Sequence, residues 1–212
     1  MKKQKQTNKI VIGIDQSYQR TGITILCNKQ IVKMFSVEFK GCKTNTDKRS
    51  MIKAILEELL ERLSYDYDDP NIKVITERIR LRSQKFLSEN YIKATGALVA
   101  TIIDTADQYG IPVYSVDTRS WKSQIVGNSK PLQNKHGINP EKYRTILYLK
   151  QKGLLKHIVQ PYSGRGEKGV INVKIDGILT PCKINDDIAD SYCIAMYGFI
   201  PKSQQKLKQE TF

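Results

Sequence analysis

Four acidic residues are placed so that their carboxylates can meet at one site. Asp15 and Glu77 each end a short apolar run rich in β-branched residues, a pattern typical of a buried strand. Asp187 and Asp190 lie three residues apart near the start of the last predicted helix, so they share one helix face. Strand ends can converge at one edge of an α/β sheet. A helix beside that edge can therefore add its two acids to the first pair.

A cluster of carboxylates is costly unless a divalent cation neutralises it. Carboxylate and water oxygens are the ligands that Mg²⁺ prefers, and we expect Mn²⁺ to substitute for it. Two such ions about 4 Å apart can activate a water molecule and stabilise the leaving oxygen of a phosphodiester. The sequence therefore predicts a two-metal site whose metal ligands and catalytic residues are Asp15, Glu77, Asp187 and Asp190.

Each of these acids also has a simpler explanation. Asp15 can cap a turn, and Glu77 can be an ordinary charge at a strand end. Asp187 and Asp190 can complement the helix dipole, a role that suits Asp186 best. The metal-site hypothesis therefore depends on the whole set of acids and not on any one of them.

The segments around the acids predict one α/β domain with a mixed sheet flanked by helices. Three strands at 9–15, 21–27 and 30–39 open the chain, and we expect them to be antiparallel. Helical and strand patterns then alternate, which is typical of parallel strand pairs. The predicted helices are 44–63, 88–109, 139–152 and 185–199, and the later strands are 71–77 and 111–116.

Three further segments fall outside this alternation. Residues 1–8 are predicted to be a basic N-terminal arm, and residues 201–212 a polar tail with frayed structure. Two apolar runs around Asp176-Gly177 predict an inserted β-hairpin within 162–183. The predicted domain itself spans 9–200.

The composition favours a nucleic-acid partner. The 212 residues include 35 Lys and Arg against 21 Asp and Glu, which gives a formal net charge of +14. Such an excess usually indicates a polyanion, and the basic amphipathic helix that a membrane surface would require is not evident. The 4 cysteines are too widely spaced to suggest a zinc pair, and no apolar run has the length of a signal or membrane segment. We therefore expect a cytoplasmic protein with reduced thiols and no membrane contact.

Basic residues are concentrated directly after Glu77 and on either side of Gly127. Arg78 follows directly on Glu77, and further basic residues continue into the next loop. Positive side chains beside a metal-binding acid can hold a phosphate backbone, although a solvated loop is the simpler alternative. The predicted DNA contacts are Arg78, Arg80, Arg82, Lys85, Lys122 and Lys130.

The side chain of Trp121 can either stack on a base or fill the apolar core, and a place in the core is the preferred interpretation.

Four segments, in this order, resemble the motifs of the RuvC-type Holliday junction resolvases, a family within the RNase H-like superfamily. The segments are IGIDQSYQRTGITIL, VITERIR, WKSQIVGN and DIADSYCIA, and the resemblance spans residues 9–200. It implies an RNase H-like fold and a Mg²⁺-dependent endonuclease that cuts branched DNA as a homodimer. The residues that correspond to the family's metal ligands are Asp15, Glu77, Asp187 and Asp190. A family lysine implicated in DNA handling corresponds to Lys122.

The chain also departs from the family's pattern. Gln16-Ser17 stands where the family usually has Pro-Gly, Arg80 stands where it often has an aromatic residue, and 162–183 has no counterpart. Two other functions stay open: an RNase H-like nuclease acting on flaps or RNA–DNA hybrids, and a non-catalytic DNA-binding module. A nucleotide-binding protein of the actin and sugar-kinase type is disfavoured, because such proteins need two domains and Gly-rich phosphate loops.

Overall fold

The computed structural model describes residues 8–39, 41–68, 70–79, 89–127, 140–154, 170–175, 178–183 and 186–210. Several predictions fall outside these residues and stay predictions. They are the arm at 1–7, the first part of the insertion at 162–169, and the DNA contacts Arg80, Arg82, Lys85 and Lys130.

The strands and helices that the sequence pattern indicates occur in the predicted order, and a short third helix, two helical turns and a last strand are present in addition. The strands are β1 (Lys9–Asp15), β2 (Arg20–Cys27), β3 (Gln30–Glu38), β4 (Asn71–Glu77), β5 (Val113–Val116), β6 (Val170–Ile175), β7 (Ile178–Lys183) and β8 (Leu207–Glu210). The helices are α1 (Asn45–Asp66), α2 (Glu89–Gln108), α3 (Thr118–Trp121), α4 (Pro140–Gln151) and α5 (Asp186–Tyr197). A π-helical turn (Lys122–Val126) continues α3, and a 3₁₀ turn (Lys202–Gln204) precedes β8.

Six strands form a mixed sheet in the order β3–β2–β1–β4–β5–β8. β1, β2 and β3 are antiparallel neighbours, whereas β4 runs parallel to β1 and β5 runs parallel to β4. This topology confirms the predicted mixed sheet. The β6–β7 pair forms the predicted hairpin as a separate antiparallel sheet, with β6 beside β3.

The register of the central strands places two acids at one edge. Ile14 of β1 lies beside Thr76 of β4, so Asp15 and Glu77 are the next residues along two adjacent parallel strands. On its other side, Asp15 lies opposite Gly22 of β2. The carboxyl ends of β1 and β4 therefore define the edge at which a site can form.

Helices cover both faces of the sheet. Ile12 and Ile14 of β1 pack in one apolar core with residues of α1 and α2, such as Leu56 and Ile102. Val11, on the opposite face of the same strand, packs in a second core with α4 and α5. Because β1 is buried on both faces, its sequence is almost continuously apolar.

Local signals explain where the two long helices begin and end. Thr44 and Asp47 form a capping box at the start of α1: the Asp47 N–H donates to Thr44 Oγ1 at 3.1 Å, and the Thr44 N–H donates to Asp47 Oδ2 at 2.8 Å. Gly110, with a φ of 65°, follows the end of α2. The predicted helix bounds therefore agree with the structure to within a few residues.

None of the described helices is long and apolar enough to cross a membrane.

The prediction of a frayed C-terminal tail is wrong. Leu207–Glu210 forms β8 and pairs antiparallel with β5 at the edge of the sheet. The Gln205 side-chain amide donates to three backbone carbonyls at and just beyond the end of α5, and the Lys206 N–H donates to the Tyr197 hydroxyl at 2.7 Å. A polar sequence can form this strand because the exposed edge of β5 supplies its backbone partners.

Candidate active site

The structure brings the four predicted acids to the carboxyl ends of β1 and β4. Asp15 ends β1, and Glu77 ends β4. Helix α5 packs across β1 and β2 and carries Asp187 and Asp190 in its first two turns. The helix thus adds its acids to the pair from the strands, as the sequence pattern indicated.

Two glycines allow α5 to lie directly against the sheet. A Cβ atom at Gly22 would come within 2.0 Å of the Asp187 carbonyl oxygen, and one at Gly13 within 2.3 Å of the Ser191 carbonyl oxygen. The hydroxyls of Thr24 and Ser191 share a hydrogen bond of 2.8 Å across the same interface. This close approach requires residues without a side chain, and it sets how near Asp187 lies to the strand ends.

Burial among other acids makes ionisation of Asp15 unfavourable. Loss of hydration raises the pKa of Asp15 well above its ordinary value. The further causes, in decreasing order, are the negative charges of Asp190, Glu77, Asp187 and Asp186. A positive charge added near Asp15 therefore favours its ionised form.

Glu77 is held through both its backbone and its carboxylate. The Gln16 side-chain amide accepts a hydrogen bond from the Glu77 N–H at 3.1 Å and donates one to the Glu77 carbonyl oxygen. Thr118 Oγ1 donates to Glu77 Oε1, and Trp121 Nε1 donates to Glu77 Oε2 at 3.2 Å. Trp121 is fully buried, so the alternative that it stacks on a base is wrong. None of these three residues was predicted to contact Glu77, although Gln16 stood out as a departure from the family's Pro-Gly.

Arg20 places a positive charge within the acidic cluster. Its Nε donates to Asp187 Oδ2, and its Nη2 lies 3.7 Å from Asp186 Oδ1. Asp186 is buried, and its negative charge raises the pKa of both Asp15 and Asp190, so it acts on the site beyond the helix-dipole role that its position indicated. No motif indicated Arg20; its place directly before the Thr21-Gly22 pair was the available signal.

Asp190 lies between α4 and the π-helical turn. Desolvation raises its pKa to about 7, whereas the charge of Lys122 and a hydrogen bond from Thr145 oppose that rise. Within the described part of the chain, Asp190 Oδ1 is buried without a hydrogen-bond partner. The predicted DNA contact Lys122 is therefore near the acids, whereas Thr145 had no motif that could have indicated its role.

The four acidic side chains are of the type that binds a divalent metal, although they are not arranged around a single ion position. Among the residues that the structure describes, no group of three His, Cys, Asp or Glu side chains is arranged to hold a metal ion. The charge coupling of Asp15 to the other acids nevertheless shows that they lie within electrostatic reach of one another. An all-carboxylate set is suited to Mg²⁺ or Mn²⁺, as is the buried Asp190 Oδ1, which has no hydrogen-bond partner among the residues that the structure describes.

Arg78 is hydrogen-bonded to strand β5. Its Nε donates to Ser115 Oγ at 3.3 Å, and its backbone N–H donates to the Val116 carbonyl oxygen at 2.8 Å. The Ser115 hydroxyl in turn donates to the Glu210 carboxylate on β8. These contacts show that Arg78 has a structural role at the end of β5. Its predicted contact with DNA stays a prediction.

We expect the metal-free protein to lose stability as the pH rises from about 4 to about 7, because Asp190 has a folded-state pKa of about 7 against an ordinary value of 3.8. Below this interval both the folded and the unfolded chain hold the proton. Within it the unfolded chain releases the proton and the folded protein retains it, so unfolding becomes more favourable. Thermal unfolding in the presence of a chelator, at a series of pH values, measures the loss.

An Asp190→Asn variant is the control for this pH dependence. It removes the titrating group at nearly constant shape, so its melting temperature should fall less over the same interval. Parallel pH profiles for the wild type and the variant would contradict a raised pKa at Asp190.

The fold matches that of solved RuvC structures. RuvC from Thermus thermophilus, in complex with a Holliday junction substrate, aligns with a TM-score of 0.59 at 14% identity, over 95% of this chain and 99% of that chain. A second Thermus thermophilus RuvC structure aligns with a TM-score of 0.58 at 16% identity, with the same coverage of 95% and 99%. No family model and no curated protein matches the sequence. The chain therefore has the RNase H-like fold of RuvC, and the resemblance seen in its motifs is confirmed at the level of the fold.

Proposed function

We propose that this protein is a metal-dependent endonuclease that cuts branched DNA such as Holliday junctions. One observation carries the proposal: within a RuvC-type fold, α5 brings two acids to the strand ends that carry two more. The RuvC structure with the same fold was solved with a Holliday junction substrate. The net charge of +14 fits a DNA substrate, because phosphate contacts provide much of the affinity for DNA.

In this proposal the four acids hold Mg²⁺, or Mn²⁺ in its place. When bound, the metal supplies activation of water and stabilisation of the leaving oxygen of a phosphodiester. Lys122 provides a positive charge beside Asp190, where it can bind an oxygen of the phosphate that is cut. Arg20, paired with Asp187, keeps a second positive charge at the same edge.

The proposed assembly is a homodimer. A four-way junction with two-fold symmetry presents two equivalent strands, so a two-fold dimer places one site at each of them. Two symmetric cuts in one junction are therefore the expected product. A monomer with one active site would cut the two strands in independent events, without the symmetry of a dimer.

Cleavage of end-labelled DNA substrates tests the proposed function. The panel consists of four-way and three-way junctions, flaps, an RNA–DNA hybrid and linear duplex, each incubated with Mg²⁺, Mn²⁺ or a chelator. We expect paired cuts in the four-way junction with either metal, weaker cleavage of linear duplex, and no cleavage with the chelator.

Other results on the same panel would contradict the proposal in distinct ways. Preferred cleavage of flaps or of the hybrid would indicate a different RNase H-like nuclease. Tight binding to branched DNA without cleavage under any metal would indicate a non-catalytic binding module. Cleavage that continues in the chelator would exclude the metal-dependent mechanism.

A further inference from the structure

The short helix α3 begins beside Glu77 because the ends of β4 and β5 are tied together. The Arg78 N–H donates to the Val116 carbonyl oxygen at 2.8 Å, which links the two strand ends just beyond Glu77. Asp117 then caps α3, since its side chain accepts a hydrogen bond from the Arg119 N–H at 2.9 Å. The first turn of α3 is therefore fixed next to the Glu77 carboxylate.

Thr118 and Trp121 lie three residues apart on that turn and present two donors to Glu77. The Thr118 hydroxyl donates to Oε1, and the Trp121 indole N–H donates to Oε2 at 3.2 Å. A carboxylate can accept about four hydrogen bonds, so these two leave acceptor sites on both oxygens. Both donors are uncharged, so they orient Glu77 without neutralising it, in contrast to Arg20 on Asp187.

The Trp121 ring is a rigid anchor for this contact. It is fully buried, and it packs in the core with Val11 and Ile75 of the central strands. Lys122 Nζ lies 5.2 Å from the centre of the same ring, and its charge also acts on Asp190. The Trp121 ring therefore contacts both Glu77, through its N–H, and the lysine beside Asp190. A buried indole N–H needs an acceptor, and Glu77 is the acceptor here.

We propose that Thr118 and Trp121 are positioning residues that hold both carboxylate oxygens of Glu77 in the orientation needed to bind the divalent metal. The inference rests on the proposed function, because it assigns these residues to the metal site of that function. Groups that hydrogen-bond to a metal ligand typically change metal affinity or activity by about 10- to 100-fold when they are removed. Trp121 is the single tryptophan of the chain, so its fluorescence can be assigned to this residue without interference from another indole.

Calorimetric titration with Mn²⁺, without DNA, tests the inference in three variants. Thr118→Val removes the hydroxyl at nearly constant volume and should weaken Mn²⁺ binding about 10- to 100-fold, with little change in the melting temperature of the metal-free protein. Thr118→Ser keeps the hydroxyl and should restore most of the affinity. The matched control is Thr95→Val, which removes a buried hydroxyl without a hydrogen-bond partner among the described residues and should leave Mn²⁺ affinity unchanged.

Fluorescence and activity complete the test. Adding Mg²⁺ should change the emission of Trp121 in the wild type and leave it unchanged in a Glu77→Gln variant. In the cleavage assay, Thr118→Val should raise the Mg²⁺ concentration needed for half-maximal rate without changing KM for DNA.

The possible failures separate the positioning role from the proposed function. Wild-type protein that binds Mn²⁺ and cuts DNA, together with Thr118→Val of unchanged Mn²⁺ affinity, would overturn the positioning role alone. Metal binding that leaves the Trp121 emission unchanged would do the same. Wild-type protein that binds neither Mn²⁺ nor Mg²⁺ would overturn the metal-dependent function and the positioning role together.

Discussion

Replacing Asp15 by asparagine is expected to reduce cleavage on the order of a thousandfold or more, because the loss of several kcal/mol of metal-based charge stabilisation costs about tenfold in rate per ~1.4 kcal/mol. Under the proposed function, binding to branched DNA should persist, because phosphate contacts from basic residues away from Asp15 provide much of the affinity. The metal-free variant should also melt at the same temperature as the wild type or higher, because burial raises the pKa of Asp15 and asparagine carries no charge to bury. Cleavage rates, DNA-binding anisotropy and thermal unfolding measure the three effects.

A matched variant shows whether the effect belongs to the site. Asp104 is an exposed acid of α2, so Asp104→Asn makes the same chemical change at the surface and should cleave like the wild type. An Asp15→Asn protein that cuts at the wild-type rate with Mg²⁺ would show that the acidic edge of the sheet is not the active site.

Replacing Gly22 by alanine is expected to impair both folding stability and cleavage. The new Cβ atom would lie 2.4 Å from the carbonyl carbon of Asp187, so α5 must move away from β2. Overpacking of this kind costs roughly 1–3 kcal/mol. Because a displacement of about 1 Å can cost about a hundredfold in rate, cleavage should fall by at least that factor even in the folded fraction.

Gly96 provides the control for this substitution. It lies within α2, and a Cβ atom there would meet nothing within 4 Å. Gly96→Ala should therefore leave cleavage unchanged and hold or raise the midpoint of urea unfolding, because alanine favours a helix interior over glycine. Wild-type cleavage by Gly22→Ala would show that the contact between β2 and α5 does not set the geometry of the acids.

The elements with local signals could be predicted from the amino-acid sequence. Short apolar runs marked β1 and β4, and capping residues and glycines marked the ends of the helices. The positions of Asp15 and Glu77 at the ends of these runs, and the three-residue spacing of Asp187 and Asp190, were sufficient to predict an acidic cluster. Each of these signals spans only a few residues, so it can be read without knowing how the chain packs.

The groups that surround the acids could not be predicted, because packing brings them together from distant parts of the chain. Arg20 contacts Asp187 across 167 positions of sequence, and Trp121 reaches Glu77 across 44, so no local pattern could indicate either pair. The same reason explains why β8 was predicted as a frayed tail: its partner strand β5 lies far away in sequence, and its own residues are polar. Hydrogen bonds at a sheet edge and contacts between a helix and a sheet join distant segments, and their partners are specified by packing rather than by neighbouring residues.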